Sequence, residues 1–106
     1  MPEALRGWIV VYRLPPGSTQ IDRVTFRQRL LGATTTSWEG RYRYHRGGLL
    51  EEVPHRAVMP GVILIGPDDR AKVEAFLKEW KAGLLFREVV LDTRDLSQFR
   101  RRRALP

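Results

Sequence analysis

The stretch Trp8-Ile-Val-Val-Tyr12 is continuously apolar, rich in β-branched and aromatic residues, and soon followed by Pro15-Pro16-Gly17. A short apolar run bounded by turn residues predicts a strand that is buried on both faces. A second such run, Val62-Ile-Leu-Ile65, ends a β-rich segment that starts at His55 and is interrupted or bulged at Pro60-Gly61. We expect these two segments to be the central strands of one sheet.

The residues after the first run predict a helix that ends at Gly32. Ser18 or Thr19 can cap it, and Asp22 follows Thr19 at the spacing of a capping box. One helical stripe consists of Ile21, Val24, Gln28 and Leu31, flanked by Leu30. The other side carries Arg23 and Arg27, with Arg29 nearby.

Residues 34–46 are again β-rich, and the segment 41–46 alternates strictly between basic and aromatic residues until His45. In a strand, alternate side chains point to opposite faces. One face would therefore carry Arg41, Arg43 and His45, and the other Tyr42, Tyr44 and Arg46.

A second helix over residues 69–82 is predicted by the spacing of Val73, Phe76, Leu77 and Trp80. The segment 84–91 then predicts the last strand. We expect Asp95 to cap a C-terminal turn or short helix that leads into Arg100–Arg103, a run that is either disordered or weakly helical.

The resulting order, β-α-β-β-α-β, indicates an α+β protein with a ferredoxin-like fold. This arrangement has a four-stranded antiparallel sheet in the order 4-1-3-2, with two helices on one face. The segments 34–46 and 84–91 would be its edge strands. We expect a single domain over residues 1–97, followed by a basic C-terminal tail over 98–106.

Both predicted central strands are apolar on both faces, whereas two helices can cover only one face of the sheet. The second face would expose a large apolar patch unless something covers it. A second copy of the chain is the favoured cover, because small domains most often form two-fold dimers. The alternative is the C-terminal segment folding across its own sheet.

Charge is distributed unevenly along the 106 residues, whose net charge is +7. Residues 1–56 contain nine arginines and five acidic residues, residues 57–99 are almost balanced, and positions 100–103 are all arginine. Arginine suits bidentate phosphate contacts and stacking on bases. A GC-rich or thermophilic host would also favour arginine over lysine, but that does not explain the uneven distribution.

Several classes of protein are excluded or disfavoured. The absence of cysteine excludes disulfides and zinc–cysteine sites and fits a cytoplasmic protein. The N-terminal residues do not have the pattern of a secretory signal. The longest uncharged stretch is too short to cross a bilayer, so we expect no membrane association.

Nucleic-acid binding is the function that the residue pattern favours. Guanidinium groups neutralise phosphates, and aromatic rings stack on unpaired bases. The candidate binding residues are Arg23, Arg27, Arg41, Tyr42, Arg43, Tyr44, His45, Arg46, Arg100, Arg101, Arg102 and Arg103. In the competing interpretation, Tyr42 and Tyr44 pack inward, the strand arginines only protect an edge, and the arginine tail only increases solubility.

Catalytic chemistry has weaker support. His45 and His55 could approach each other and form a metal site with Glu51 and Glu52, but surface histidines and a solvated loop are the simpler interpretation. Gly47-Gly48 matches no nucleotide-binding fingerprint, because we do not expect it to lead into a helix. We therefore expect no catalytic residues, no metal and no cofactor.

The pattern over residues 8–65 resembles the small CRISPR-associated endoribonuclease-like proteins of the adaptation machinery. The resemblance rests on the Ile9–Tyr12 strand, its short loop, a helix with Arg23, Phe26, Arg27 and Leu30-Leu31-Gly32, and a strand that begins near Thr35. It implies a ferredoxin-like homodimer that binds duplex DNA, in some members with metal-dependent nuclease activity.

One departure from that family affects the expected activity. An acidic metal ligand usually follows the aromatic residue of the first strand, and here Arg13 occupies that place. Asp22 lies inside the predicted helix and cannot substitute. We therefore expect nucleic-acid binding without catalysis. The alternatives are a homodimeric regulatory or assembly module that binds a protein through its sheet face, and a metal-dependent nuclease.

Overall fold

The computed structural model describes residues 5–37 and 42–103, and within these it leaves the side chains of 35–37, 42–44 and 100–103 undescribed. The elements follow one another in the order β1 (Leu5–Arg13), α1 (Gln20–Leu31), β2 (Ala33–Ser37), β3 (Tyr42–Arg46), α2 (Leu49–Glu52), β4 (His55–Met59), β5 (Val62–Ile65), α3 (Arg70–Glu79), β6 (Gly83–Leu91) and α4 (Thr93–Arg103). The chain is therefore an α+β protein, as predicted.

Four strands form one antiparallel sheet in the order β4-β5-β1-β6. The two apolar runs are its central strands, with Val10 opposite Ile63 on β5 and Phe86 on β6. These three side chains are buried, and they face α1 and α3. The prediction that the apolar runs form the centre of the sheet is confirmed.

The predicted strand order 4-1-3-2 and the ferredoxin-like arrangement are not matched, because both β-rich segments contain two strands. Residues 34–46 form no edge of the large sheet; β2 and β3 pair only with each other, in a separate two-stranded hairpin. Residues 55–65 are also two strands. Gly61 has a φ of +84°, and Pro60-Gly61 turns the chain so that β4 takes the edge position beside β5.

Helix α1 begins with the predicted capping box. The Thr19 hydroxyl accepts from the Asp22 N–H at 3.0 Å, and the Asp22 carboxylate accepts from the Thr19 N–H at 2.9 Å. The side chains that anchor the helix are Phe26 and Leu30, which are buried. Phe26 contacts an aromatic group on β1 and α3, formed by Tyr12, Phe76 and Trp80.

Helix α4 covers part of the second sheet face. Register places Arg56 on the face opposite Ile63 and Ile65, and its guanidinium lies 2.6 Å from the Asp95 carboxylate of α4. Phe99 and Leu91 are buried outside the main core cluster. The C-terminal segment thus folds onto its own sheet, while the homodimer stays a prediction.

Asp92 is the residue that caps α4, and Asp95, the predicted cap, occupies the third helical position. Each of the two carboxylates accepts the backbone N–H of the other residue at 2.9 Å. The helix continues through Arg103, across the boundary at 97/98 that the sequence suggested. Within the part of the chain that the structure describes, no helix is long and apolar enough to cross a membrane.

Candidate nucleic-acid interface

Exposed arginines surround helix α1 on both of its flanks. On one flank, Arg13 at the end of β1 and Arg23 on α1 line a shallow pocket of about 440 Å³, which also includes Tyr12 and Phe26. On the other flank, Arg29 of α1 and Arg46 of β3 line a second pocket of about 400 Å³. We call Arg13, Arg23, Arg27, Arg29 and Arg46 the arginine surface.

The arginine surface has no internal ion pair among the residues that the structure describes. All five side chains are exposed, and within residues 5–37 and 42–103 none of them forms an ion pair. Among the described carboxylates that do pair, Glu88 binds Arg6, Asp95 binds Arg56, Glu74 binds Arg70 and Lys78, and Glu51 binds His45, which directly precedes Arg46 on β3. These five charges therefore remain available to an external anion.

The second pocket offers more than two positive charges. Its wall includes the Thr25 hydroxyl and the Gln28 amide, together with Ala33 and Gly47. Hydroxyl and amide groups beside a pair of guanidinium groups are the donors that commonly hold phosphate oxygens. The pocket is formed jointly by α1 and the base of the β2–β3 hairpin.

Strand β3, which contains the alternating arginine and tyrosine residues, lies in that hairpin and not at the edge of the large sheet. Register pairs Tyr44 with Thr35, Arg43 with Thr36 and His45 with Thr34. The predicted faces of Tyr42, Arg43 and Tyr44 depend on side chains outside the described ones. Arg41 lies outside the described residues. The β2 sequence opposite β3, Ala33–Ser37, consists of small and mostly polar residues.

His45 ties the hairpin to helix α2. Its Nδ1 lies 3.1 Å from the Thr34 hydroxyl oxygen, and its Nε2 lies 2.7 Å from Glu51 Oε1. The other Glu51 oxygen accepts the Gly48 N–H at 2.7 Å. The Gly48 N–H and the His45 ring together hold the pKa of Glu51 below its ordinary value. Both ring nitrogens of His45 therefore have hydrogen-bond partners within the protein.

The predicted loop at Glu51-Glu52 is a short helix, Leu49–Glu52, with Leu50 buried, although both glutamates are exposed as expected. Gly47-Gly48 therefore does lead into a helix. The position requires a glycine, because a Cβ on Gly48 would overlap the backbone nitrogen of Gly32 and lie 2.5 Å from the carbonyl carbon of Leu31.

The two histidines have separate environments. His55 is buried on β4, with its Nδ1 2.9 Å from the Val53 carbonyl oxygen, whereas His45 is exposed on the hairpin. In the described ranges, no group of three or more histidine, aspartate or glutamate residues could hold a metal ion. The predicted alternative of a site shared by His45, His55, Glu51 and Glu52 thus has no support from these residues.

The remaining predicted residues are divided between two faces of the molecule. Arg23, Arg27 and Arg46 belong to the arginine surface. Arg100–Arg103 are part of α4, which packs against β4 on the sheet face opposite α1. Arg13 and Arg29 were not among the predicted binding residues. Tertiary placement brings Arg13 beside Arg23 and Arg29 beside Arg46, each pair lining one pocket.

No protein-family model matches this chain, and comparisons with curated proteins and with solved structures find no match either.

Proposed function

We propose that this protein binds nucleic acid, without catalysis, through the arginine surface and the β2–β3 hairpin that adjoins it. The observation that carries the proposal is the set of five exposed arginines on β1, α1 and β3 that have no carboxylate partner among the described residues. Guanidinium groups left free in this way bind phosphates and release counterions, which favours binding to a polyanion.

Two features of the surface suit a phosphate backbone. The two pockets on the flanks of α1 each combine two arginines, so several phosphates can be contacted at separate points. The sequence of the hairpin adds Arg43 between Tyr42 and Tyr44, a combination in which rings can stack on bases while guanidinium groups neutralise phosphates. A duplex-DNA ligand would also agree with the family resemblance over residues 8–65.

The role of the second pocket can be tested with a charge-matched pair of variants. We expect Arg29→Gln combined with Arg46→Gln to weaken binding of a labelled 20-nucleotide strand, single-stranded or duplex, by roughly tenfold, because two phosphate contacts of about 0.7 kcal/mol each are lost. The control is Arg6→Gln combined with Arg87→Gln, which removes the same charge from β1 and β6. Fluorescence anisotropy measures both.

The control positions are distant from the proposed interface. Arg6 lies six residues before Tyr12 on β1, or about 20 Å along the strand, and Arg87 lies on the face opposite the helices. Equal weakening by the two pairs would contradict the proposed interface and indicate a general charge effect. Unchanged affinity in the Arg29→Gln/Arg46→Gln variant would also contradict the proposed interface.

A second candidate function is a homodimeric module that uses the sheet face. Helix α4 leaves part of that face uncovered, and Val11, Leu85 and Met59 remain 38%, 43% and 59% exposed there. A contiguous apolar patch of this kind is typical of an interface. A second copy of the chain would bury it, and the same patch could instead bind a different protein.

A further inference from the structure

The outer side of α1 carries an apolar stripe that the fold leaves uncovered. Ile21, Val24 and Leu31 are 77%, 43% and 46% exposed, and Gln28 lies in line with them and is also exposed. At 100° per residue these positions lie opposite Phe26 and Leu30, the buried anchors of the helix. The stripe that resembled a core face in the sequence therefore faces solvent. Nucleic-acid binding by the arginine surface does not account for it.

The spacing of the stripe fits a second helix. Residues 21, 24, 28 and 31 follow the alternating three- and four-residue spacing of a coiled-coil seam, in which side chains of one helix insert between those of another. A single polar residue within such a seam, here Gln28, is the usual device that fixes register. The stripe contains no aromatic residue, unlike helices that lie in a membrane surface.

The charged residues beside the stripe favour one kind of partner helix over another. Arg27 borders it on one side, and Arg29 lies beyond Thr25 on the other. The only acidic residue of α1, Asp22, is held by the Thr19 backbone N–H of the capping box. A second copy of α1 would place arginines against arginines, which is unfavourable. A helix that carries carboxylates beside its apolar seam would be complementary.

We infer that the outer face of α1 docks an acidic amphipathic helix of a partner protein. The apolar side chains of the partner cover Ile21, Val24 and Leu31, and its carboxylates pair with Arg27 and Arg29. The site differs from the uncovered sheet face. It shares Arg27 and Arg29 with the arginine surface, and its apolar contact goes beyond the proposed nucleic-acid function. Since the seam spans only about one and a half heptads, the affinity is modest, in the micromolar range.

Designed peptides provide the test. The probe is a labelled peptide of about three heptads with leucine at the seam positions and glutamate beside them. The controls are a scrambled peptide of the same composition and a peptide in which lysine replaces every glutamate. We expect only the glutamate peptide to show saturable binding, which is measured by fluorescence anisotropy of the label.

Variants of the full-length protein locate the contact. Ile21→Ser should weaken peptide binding about fivefold or more, whereas Val90→Ser, at a 58% exposed position on β6, should leave it unchanged. Arg27→Glu should reverse the preference, so that the lysine peptide binds better than the glutamate peptide. Arg87→Glu is its matched control. Ile21→Ser should also keep its oligonucleotide affinity within about twofold, which separates the apolar contact from nucleic-acid binding by the arginine surface.

Several results would overturn the proposal. Binding of the glutamate peptide no tighter than the scrambled one would do so, as would equal losses in Ile21→Ser and Val90→Ser. A dimer that dissociates in Ile21→Ser would assign the stripe to a second copy instead. Binding to vesicles with an anionic phospholipid that depends on Ile21 would assign it to a membrane surface.

Discussion

At Asp95, opposing effects act on the pKa of one carboxyl group. Burial alone would raise this pKa, but the Asp92 N–H and the Arg56 guanidinium outweigh it, so the pKa of Asp95 lies below its ordinary value. A lowered pKa in the folded state stabilises the protein above the carboxyl range of the unfolded chain. This contribution is lost as the pH falls through the lowered pKa.

We therefore expect Asp95→Asn to reduce the free energy of unfolding at neutral pH by about 1–2 kcal/mol. The loss should shrink as the pH falls below ~4, because the carboxyl of the unfolded chain is protonated there while the folded carboxyl is still ionised, and it should vanish below the lowered folded-state pKa. Urea unfolding at several pH values measures both. The control is Glu88→Gln, whose half-exposed pair with Arg6 should be worth no more than about 0.5 kcal/mol. A loss in Asp95→Asn that does not change with pH would contradict this account of the ion pair.

Single residues with a strictly local role could be predicted from the sequence. The Thr19–Asp22 capping box follows from spacing alone, because both partners lie within one turn. Arg13 and Arg29 could not be assigned to the interface in this way. Their contribution depends on the chain folding back to bring Arg23 and Arg46 beside them, and local spacing contains no information about that.

Among the elements, the apolar runs of β1 and β5 and the periodic helix α3 were predicted correctly, because burial on both faces or on one helical side leaves a clear pattern. The β-rich segments 34–46 and 55–65 were each predicted as a single strand. In the second, a proline-glycine pair that could be a bulge within one strand proved to be a turn between β4 and β5. The strand order failed for this reason.

The sequence also did not reveal which side of α1 packs against the core. Its larger apolar set, Ile21, Val24 and Leu31, is the exposed one, while only Phe26 and Leu30 enter the core. Aromatic contacts with Tyr12, Phe76 and Trp80 favour the orientation that buries Phe26. A helical pattern with two apolar sides does not reveal which side packs inward when one of them serves another purpose.

The uncovered part of the sheet face leads to a prediction about self-association. If a second copy covers Val11, Leu85 and Met59, the protein should sediment as a dimer at micromolar concentration. Leu85→Ser should then raise the dimer dissociation constant more than tenfold, because each dimer loses two leucine burials of about 1.5 kcal/mol or more. Val90→Ser, on the opposite face, is the control. A wild-type monomer at these concentrations would contradict the prediction.

Most of the ion pairs among the described residues lie in a different part of the molecule from the arginine surface. Pairs between Arg6 and Glu88 and between Arg56 and Asp95 lie away from α1. Among the described residues, five exposed arginines without an ion pair lie around that helix, whereas Arg87 on β6 and Arg94 on α4 are also exposed and without an ion pair. Net charge and its uneven distribution, both visible in the sequence, indicated a polyanion as ligand. What the sequence could not show is that the arginines occupy two flanks of α1 with an apolar stripe between them.

The salt dependence of oligonucleotide binding tests the central claim most directly. If the five arginines of the arginine surface neutralise five phosphates, a log–log plot of affinity for duplex DNA against salt should have a slope of about −4.5, since each phosphate contributes ~−0.9. The slope should fall by about two units in the Arg29→Gln/Arg46→Gln variant. A slope near zero, or one that this variant leaves unchanged, would contradict the proposed function.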